Sequence, residues 1–294
     1  MNTQKFEKFF CHKRLKYQFI RTLFRTIGMM SEGIRHGWKY GFDSGESLDY
    51  VYENNARGLG PVGRLLDRLY LDSAGWSGIR TRRVNMQQSI SWALGQCKNG
   101  DETVELVDVA SGPGRYVLDV LNSHSHEVNV HATLHDMDEV GLALGRGKAA
   151  ALKLANVDFV RRDAFQPCGA TERKADIAIV SGLYELFPDN ELIATSLDSI
   201  YSRMKEGGYL IYTNQPWHPQ LEFIANVLDN REGKPWVMRC RSQEEIDKLV
   251  ADAGFQKVSM KSDDAGIFTV SIATKRKPAS TILFPNEEVI VQCA

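Results

Sequence analysis

The run Leu106-Val107-Asp108-Val109-Ala110-Ser111-Gly112-Pro113-Gly114 joins an apolar stretch to a carboxylate and a tight turn with two glycines. Glycine lets backbone approach a ligand where a Cβ would collide. A helix starting just beyond such a turn offers free N–H groups and a positive dipole end. Asp108 then stands where a carboxylate can take up an ammonium group, directly or through water. Ala110, Ser111, Gly112 and Gly114 are the candidate contacts of the turn. A second apolar stretch ends in Leu134-His135-Asp136-Met137-Asp138, with Asp136 lying 22 residues past Gly114. Near that offset an acid takes a ribose hydroxyl, and a carboxylate can accept both hydrogen bonds of a vicinal diol. Met137 is a neighbouring candidate. Asp138 competes with Asp136, or simply caps the helix that follows. In Arg161-Arg162-Asp163-Ala164-Phe165, Asp163 can accept from an adenine amino group while the Ala164 N–H meets a ring nitrogen.

Two details weigh against a dinucleotide at this turn. The GxGxxG spacing fails, because Val117 stands where its third glycine would be. Pro113 removes an N–H that a pyrophosphate would use. The acids need a scaffold that gathers successive strand ends. Val104–Val109, Val128–Leu134, Val157–Val160, Ile177–Val180 and Tyr209–Tyr212 read as strands. Arg115–Ser123, Val140–Leu154 and Asn190–Met204 read as helices, the last stopped by Gly207-Gly208. This alternation predicts a parallel sheet covered on both faces, with ligands at its carboxyl edge. Gln243–Ala253 reads as a further helix, with Gly254 just past its end. Lys257–Lys261 and Gly266–Thr274 follow as strands. The acidic turn Ser262-Asp263-Asp264 between them is too short for a parallel crossover, so they should pair antiparallel.

Read in this way, residues 101–277 resemble the class I methyltransferases that use S-adenosyl-L-methionine (SAM). The narrower resemblance rests on Gly41-Phe42-Asp43-Ser44-Gly45, Leu48-Asp49-Tyr50-Val51-Tyr52 and Gly75-Trp76-Ser77-Gly78-Ile79-Arg80. It continues in Gln215-Pro216-Trp217-His218-Pro219-Gln220, Gly233-Lys234-Pro235-Trp236-Val237-Met238-Arg239 and Gly266-Ile267-Phe268-Thr269-Val270. Together these resemble a bacterial methyltransferase family with an N-terminal helical extension, some members of which are joined to an α/β-hydrolase domain. The likeness covers nearly all of residues 35–275. It implies an α/β, Rossmann-like, doubly wound sheet of seven strands, mostly parallel, with a C-terminal antiparallel hairpin and an N-terminal helical lid. It implies SAM as cofactor and methyl transfer to a small-molecule acceptor. The expected partition is 1–100 as lid and substrate region, 101–277 as the SAM domain and 278–294 as a tail opened by Pro278. Ala110 replaces the first glycine of the general SAM loop. Two other functions stay open on residues alone: SAM binding without turnover, and an NAD(P)-dependent oxidoreductase.

The loop after the fifth strand, Thr213-Asn214-Gln215-Pro216-Trp217-His218-Pro219, sets amides, an indole and an imidazole among stiffening prolines. His218 is the candidate general base. Tyr184 is a second catalytic candidate or a wall of the acceptor site, and Ser181, at the end of the fourth strand, is a cofactor contact. Asn214, Gln215 and Trp217, with Trp38 and Tyr50 of the N-terminal region, are candidate acceptor contacts; plain packing is the alternative for each aromatic. His135 reads as packing only. Arg80, with Arg82 and Arg83 close behind it, is the candidate for a bidentate hold on the cofactor's carboxylate. Residues 5–28 intersperse Phe9, Phe10, Tyr17, Phe19, Ile20, Leu23 and Phe24 with lysines and arginines, a basic amphipathic helix. It either packs within the lid or lies on an anionic membrane. In the second case a lipid or fatty-acyl acceptor follows.

Bulk properties weigh against other classes, a nucleic-acid methyltransferase among them. Of 294 residues, 36 are Lys or Arg and 37 are Asp or Glu, a net charge of −1 that offers nucleic acid no field. Where a nucleic-acid methyltransferase would carry an Asn/Asp-Pro-Pro-Tyr-type tetrad, this chain has Ser181-Gly182-Leu183-Tyr184. Cys11, Cys97, Cys168, Cys240 and Cys293 are odd in number, widely spaced and without a CxxC pair. That predicts neither a disulfide framework nor a zinc site, and a reducing cytosol. No apolar run reaches membrane-spanning length and no secretory signal is legible. The expected location is cytoplasmic, with any membrane contact peripheral. No ligand spacing suggests a metal.

Overall fold

The computed structural model describes residues 3–275 apart from 101, 125–126 and 167–172, and of residues 3–12 the backbone alone. The expected tail, Cys168 and Cys293 lie outside the described residues. Five helices come first: α1 (Thr3–Arg25), α2 (Glu32–Tyr40), α3 (Gly45–Glu53), α4 (Gly60–Leu71) and α5 (Ala74–Cys97). Strands and helices then alternate as β1 (Val104–Val109), α6 (Arg115–His124), β2 (Val130–Asp136), α7 (Glu139–Ala151), β3 (Val157–Arg161) and β4 (Ala175–Val180). Next come α8 (Asn190–Arg203), β5 (Met204–Asn214), α9 (Leu221–Val227), α10 (Gln243–Asp252), β6 (Phe255–Ser262) and β7 (Thr269–Lys275). Short 3₁₀ turns lie at Ile27–Met30 and Tyr184–Leu186.

The seven strands form one sheet in the order β3-β2-β1-β4-β5-β7-β6. β1 to β5 are parallel, and β7 runs antiparallel to both β5 and β6. This is the expected mostly parallel, doubly wound sheet with its terminal hairpin. Strand order reverses between β1 and β4, so the loops leaving them diverge and open a crevice at the carboxyl edge. β1 is buried on both faces, as a central parallel strand must be. Val104 and Leu106 enter the core shared with α5 and α6, while Val107 and Val109 enter the core shared with α8 and α10. Asp108 has the parity of Leu106, which aims it at the α6 side just below the glycine turn.

One element differs from the sequence reading. Gly207-Gly208 does not end α8; the helix stops at Arg203 and β5 runs straight through the glycines. The pairing with β4 shifts register between Ala175 and Ile177. Gly207 has φ +81°, and a Cβ on Gly208 would lie 2.8 Å from the Asp176 carbonyl oxygen. The glycines therefore serve a bulge inside a strand.

A third apolar cluster joins the N-terminal helices to the carboxyl edge. It includes Ile34, Phe42, Tyr50, Leu71, Trp76 and Ile79, with Ile224 and Val227 of α9 and Phe268 beside β7. α5 belongs to two clusters. Trp76 and Ile79 pack here, whereas Met86, Ile90, Ala93 and Leu94 pack on the sheet. Among the described residues no helix is long and apolar enough to cross a membrane.

Candidate functional site

The turn after β1 has left-handed backbone at three places: Ala110 (φ +57°), Gly112 (φ +54°) and Gly114 (φ +67°). The glycines have different reasons. A Cβ on Gly114 would strike Leu134 at 2.0 Å, so this position is set by packing on β2. A Cβ on Gly112 would meet nothing within 4 Å, leaving open space above the turn. Ser111 tethers the turn through its N–H to the His135 carbonyl at 2.8 Å. Ala110 bears the strain of an alanine in a glycine conformation. Ala110→Gly should therefore raise stability by about 0.5 kcal/mol once glycine's extra unfolded-state freedom is discounted. A melting experiment should show a gain of roughly 1–2 °C; a lower Tm would mean that residue 110 is not left-handed.

Around this turn the acids are gathered but not equivalent. Asp108 is fully buried, and neither of its oxygens has a hydrogen-bond partner. Burial, with the charge of Asp136 nearby, pushes its carboxyl well above the usual range; Tyr116 of α6 works in the opposite direction. Asp136 is engaged: its oxygens accept the Gly112 N–H at 2.7 Å and the Asp138 N–H at 2.8 Å. A carboxylate has about four acceptor positions, so two remain for a ligand diol. Asp138 caps α7 by accepting the Val140 N–H at 3.0 Å. Met137 is exposed beside them. At the end of β3, Asp163 accepts the Phe165 N–H at 3.0 Å, and Ala164 packs against the neighbouring core. Ser181, at the end of β4, sits next to Tyr116.

Several expected site residues are placed elsewhere. Arg80 donates to the Leu71 carbonyl at 2.9 Å, tying α5 to α4 rather than reaching the glycine turn. Arg82 replaces it: buried, 3.5 Å from the position of a Gly182 Cβ and 3.5 Å from Glu185 Oε1. Residues 80 and 82 lie about 200° apart around a helix. Tyr184 is not at the site. Its ring is in the core and its hydroxyl bonds Ser196 Oγ at 3.1 Å, with burial raising its pKa further. Tyr50 is buried among the N-terminal helices with its hydroxyl on Asp67. Trp38 donates to the Phe24 carbonyl at 3.3 Å and lies under Arg25 and Arg21. Trp217 is half exposed at Gly266. Asn214 is spent on the Arg241 carbonyl at 2.9 Å.

Gln215 and His218 are brought to the edge with Gly182, Arg82 and Glu185, all bordering one cavity. His218 is not poised as the expected base. Its Nδ1 accepts the Gln220 N–H at 3.0 Å, and burial pulls its pKa down against the opposing charge of Asp263. The neutral ring then carries its proton on Nε2, which packs against Gly75 and can only donate. Glu185 is the residue that the sequence did not single out. It is buried, and its Oε2 has no hydrogen-bond partner. Arg241, likewise missed, is fully buried and donates at 2.6 Å to the carbonyls of both Tyr184 and Phe187, pinning the loop that presents Glu185.

The cavity has a volume of about 360 Å³. Most of its walls are apolar, among them Leu23, Phe24, Ile27, Ile34, Leu66, Leu69, Trp76, Ile79, Phe223 and Leu228, while Asp43, Ser73, Gln220 and Arg231 add polar groups to the lining. It lies between the N-terminal helices and the loops after β4 and β5. α3 covers the neighbouring glycine turn, with Gly45 over Pro113 and Asp49 paired to Arg115.

The family model described as "Putative methyltransferase" matches residues 3–275. The chain belongs to this family. It is 46% identical over 266 residues to the uncharacterized protein YnbC of Escherichia coli (strain K12), a match covering 89% of this chain and 45% of that protein. The chain thus spans about half the length of that curated relative. Among solved structures, a possible exported protein from Bordetella parapertussis has a TM-score of 0.65 at 19% identity, covering 80% of each chain. Magnesium protoporphyrin IX methyltransferase from Synechocystis PCC 6803, solved with S-adenosylhomocysteine bound, has a TM-score of 0.55 at 14% identity, covering 89% of this chain and 99% of that one.

Methyltransferases of this fold take SAM, and the residues of this chain fit it. An ammonium group would supply the donors that the orphaned Asp108 oxygens lack. A nucleoside would lie over Gly112, where nothing fills the space, within reach of the spare acceptor positions of Asp136. Among the described residues no group of three His, Cys, Asp or Glu side chains could hold a metal ion.

Proposed function

We propose that the chain transfers a methyl group from SAM to an amphiphilic acceptor with a long apolar portion and a hydroxyl or amine head. The observation that carries this reading is the cavity. Its walls are mainly apolar, and the polar side chains among them include Arg82, Glu185, Gln215 and His218 from α5 and the loops after β4 and β5, with Asp43, Ser73, Gln220 and Arg231 also on the lining. Small polar acceptors do not require such walls; an acyl or similar chain does. Asp108, Ala110, Ser111, Gly112, Gly114, Asp136, Met137, Asp163, Ala164 and Ser181 are assigned to the cofactor.

SAM supplies a methyl already activated on a sulfonium, so the protein's part is to position and dry the reactants. The cavity aligns the chain, and Gln215 and His218 Nε2–H donate to the head group. The acceptor's lone pair forms the bond to the methyl carbon as the carbon–sulfur bond breaks, and the sulfur leaves as a neutral thioether. The head group's proton passes to Glu185, whose unpartnered oxygen provides the acceptor. Arg82 holds that carboxylate in place.

The test is methyl transfer from SAM labelled on its methyl group, with alkyl alcohols and amines of increasing chain length. Turnover should rise with length until the cavity is filled, and Glu185→Gln should lower it by about 100-fold or more while SAM affinity holds. Turnover confined to short polar acceptors, or SAM binding with no turnover on any amphiphile, would remove this reading.

A further inference from the structure

The basic N-terminal helix has two apolar faces, and only one of them is used inside the protein. Tyr17, Ile20 and Phe24 of α1 pack inward on the third cluster. Leu15, Phe19 and Leu23, spaced four residues apart, form a second stripe that faces outward. Phe19 is 71% exposed. α4 repeats the pattern: Asp67 and Leu71 are buried, while Val62, Leu65 and Leu69 stay outside, Leu65 being 61% exposed. Leu23 and Leu69 also line the cavity, so the two outer stripes converge on its mouth. Soluble monomers rarely leave large apolar side chains exposed in such a continuous set.

Cations outnumber acids around these stripes, although Glu222 pairs Lys13, Asp229 pairs Arg21 and Arg25, and Asp72 pairs Arg68. Residues 13–31 contain no Asp or Glu, and the single acid of α4, Asp67, is buried and hydrogen-bonded inward. Arg14 and Arg64 form no salt bridge among the described residues, and Lys16 lies over the Tyr17 ring near Glu222. A second copy of this chain would bring like charges against them. An anionic surface neutralises them.

We propose that the outer faces of α1 and α4 dock on an anionic lipid bilayer, placing the cavity mouth at the membrane so that an acceptor enters without crossing water. The docking stands on exposure and charge alone; the route of entry rests on the amphiphilic-acceptor reading. Leucine and phenylalanine at this density supply the apolar contact, and arginine and lysine hold the headgroups.

The test is co-flotation of the full chain with vesicles, either of phosphatidylcholine alone or of an equal mixture with phosphatidylglycerol. The parent protein should float with the anionic vesicles, much less with the neutral ones, and less again at high salt. The double substitution Phe19→Glu with Leu65→Glu should cut the bound fraction by at least about tenfold, because each side chain withdrawn from water is worth roughly that factor. Neither residue lines the cavity, so SAM affinity and Tm should match the parent. No flotation of the parent, or equal flotation of the variant, overturns the docking face. So does a parent dimer in sedimentation that the double substitution dissociates, because the stripes would then be covered by protein. Flotation without SAM binding would support the face while removing the methyl-transfer reading. SAM binding without flotation would do the reverse.

Discussion

Asp108→Asn should melt later than the parent chain and bind SAM about 100-fold more weakly. Both effects come from one buried carboxyl group whose oxygens make no well-formed hydrogen bond, the Tyr116 hydroxyl being the donor that faces it. A buried charge with no partner destabilises the structure that contains it. Burial and the neighbouring Asp136 raise its pKa well above 3.8. Its folded value therefore exceeds its unfolded value. The associated stability is complete below the ordinary carboxylate pKa and is lost as pH climbs towards the folded pKa. The gain from Asp108→Asn should accordingly be absent near pH 4 and grow toward neutrality. Binding an ammonium requires the ionised form, so SAM should draw a proton off Asp108. Titration calorimetry in buffers of different ionisation enthalpy would register that proton, and the variant should show none. The loss of one desolvated charge pair is worth about 3 kcal/mol, which gives the hundredfold. An affinity within a few-fold of the parent, or no released proton, would mean that Asp108 does not meet the cofactor's amine.

Asp67→Ala should cost about 3–5 kcal/mol, roughly 10 °C in Tm for a chain of this size. Asp67 is as buried as Asp108, but the fold satisfies it. It accepts from Ser31 Oγ at 2.5 Å, from the Gly33 N–H at 2.9 Å, from the Arg57 N–H at 2.8 Å and from the Tyr50 hydroxyl. Four donors from three segments converge on one carboxylate, so it ties α2 and α3 to α4. Burial acts to raise its pKa, and the hydrogen bonds from Ser31, Tyr50, Gly33 and Arg57 outweigh that and hold it below 3.8. The sign is opposite to that of Asp108. Its stability is present above the ordinary carboxylate pKa and is lost as pH falls through the lower folded value. Melts from pH 7 down to pH 3 should show the parent losing stability below about pH 4. Asp67→Asn should start lower and lose less over that range. Tyr50→Phe, which removes a single donor, should cost less than half as much as Asp67→Ala. A parent-like melt for Asp67→Ala would show that these helices are held by apolar packing alone.

Nothing in the residue types separates these two aspartates. One stands in a recognisable turn and the other in an unremarkable helix, and both are buried. Their opposite behaviour is decided by donors that arrive from distant segments, which a linear pattern does not contain.

What the sequence determined is whatever depends on neighbours along the chain. Every strand was legible, because short apolar runs broken by glycine, proline and acids leave few alternatives in an alternating α/β chain. The antiparallel hairpin followed from the length of Ser262-Asp263-Asp264 alone. The turn at Ala110–Gly114 and the acids at strand ends were placed by the rule that parallel strands present their carboxyl ends together. Arg82 could have been found as well: it is in phase with Ile79 and Met86, and that stripe marks the buried face of α5. What only the tertiary structure decided is which side chains are already spent. Tyr184, Tyr50, Trp38 and Asn214 have chemistry to offer but hold Ser196, Asp67, Phe24 and Arg241 instead. Glu185 became a candidate because its partner set is incomplete, and the cavity exists because helices far apart in sequence meet around it. α1 was read as either a packed helix or a membrane helix. In the fold its inner stripe is packed and its outer stripe is exposed, since a helix has more than one face and the core can cover only part of it.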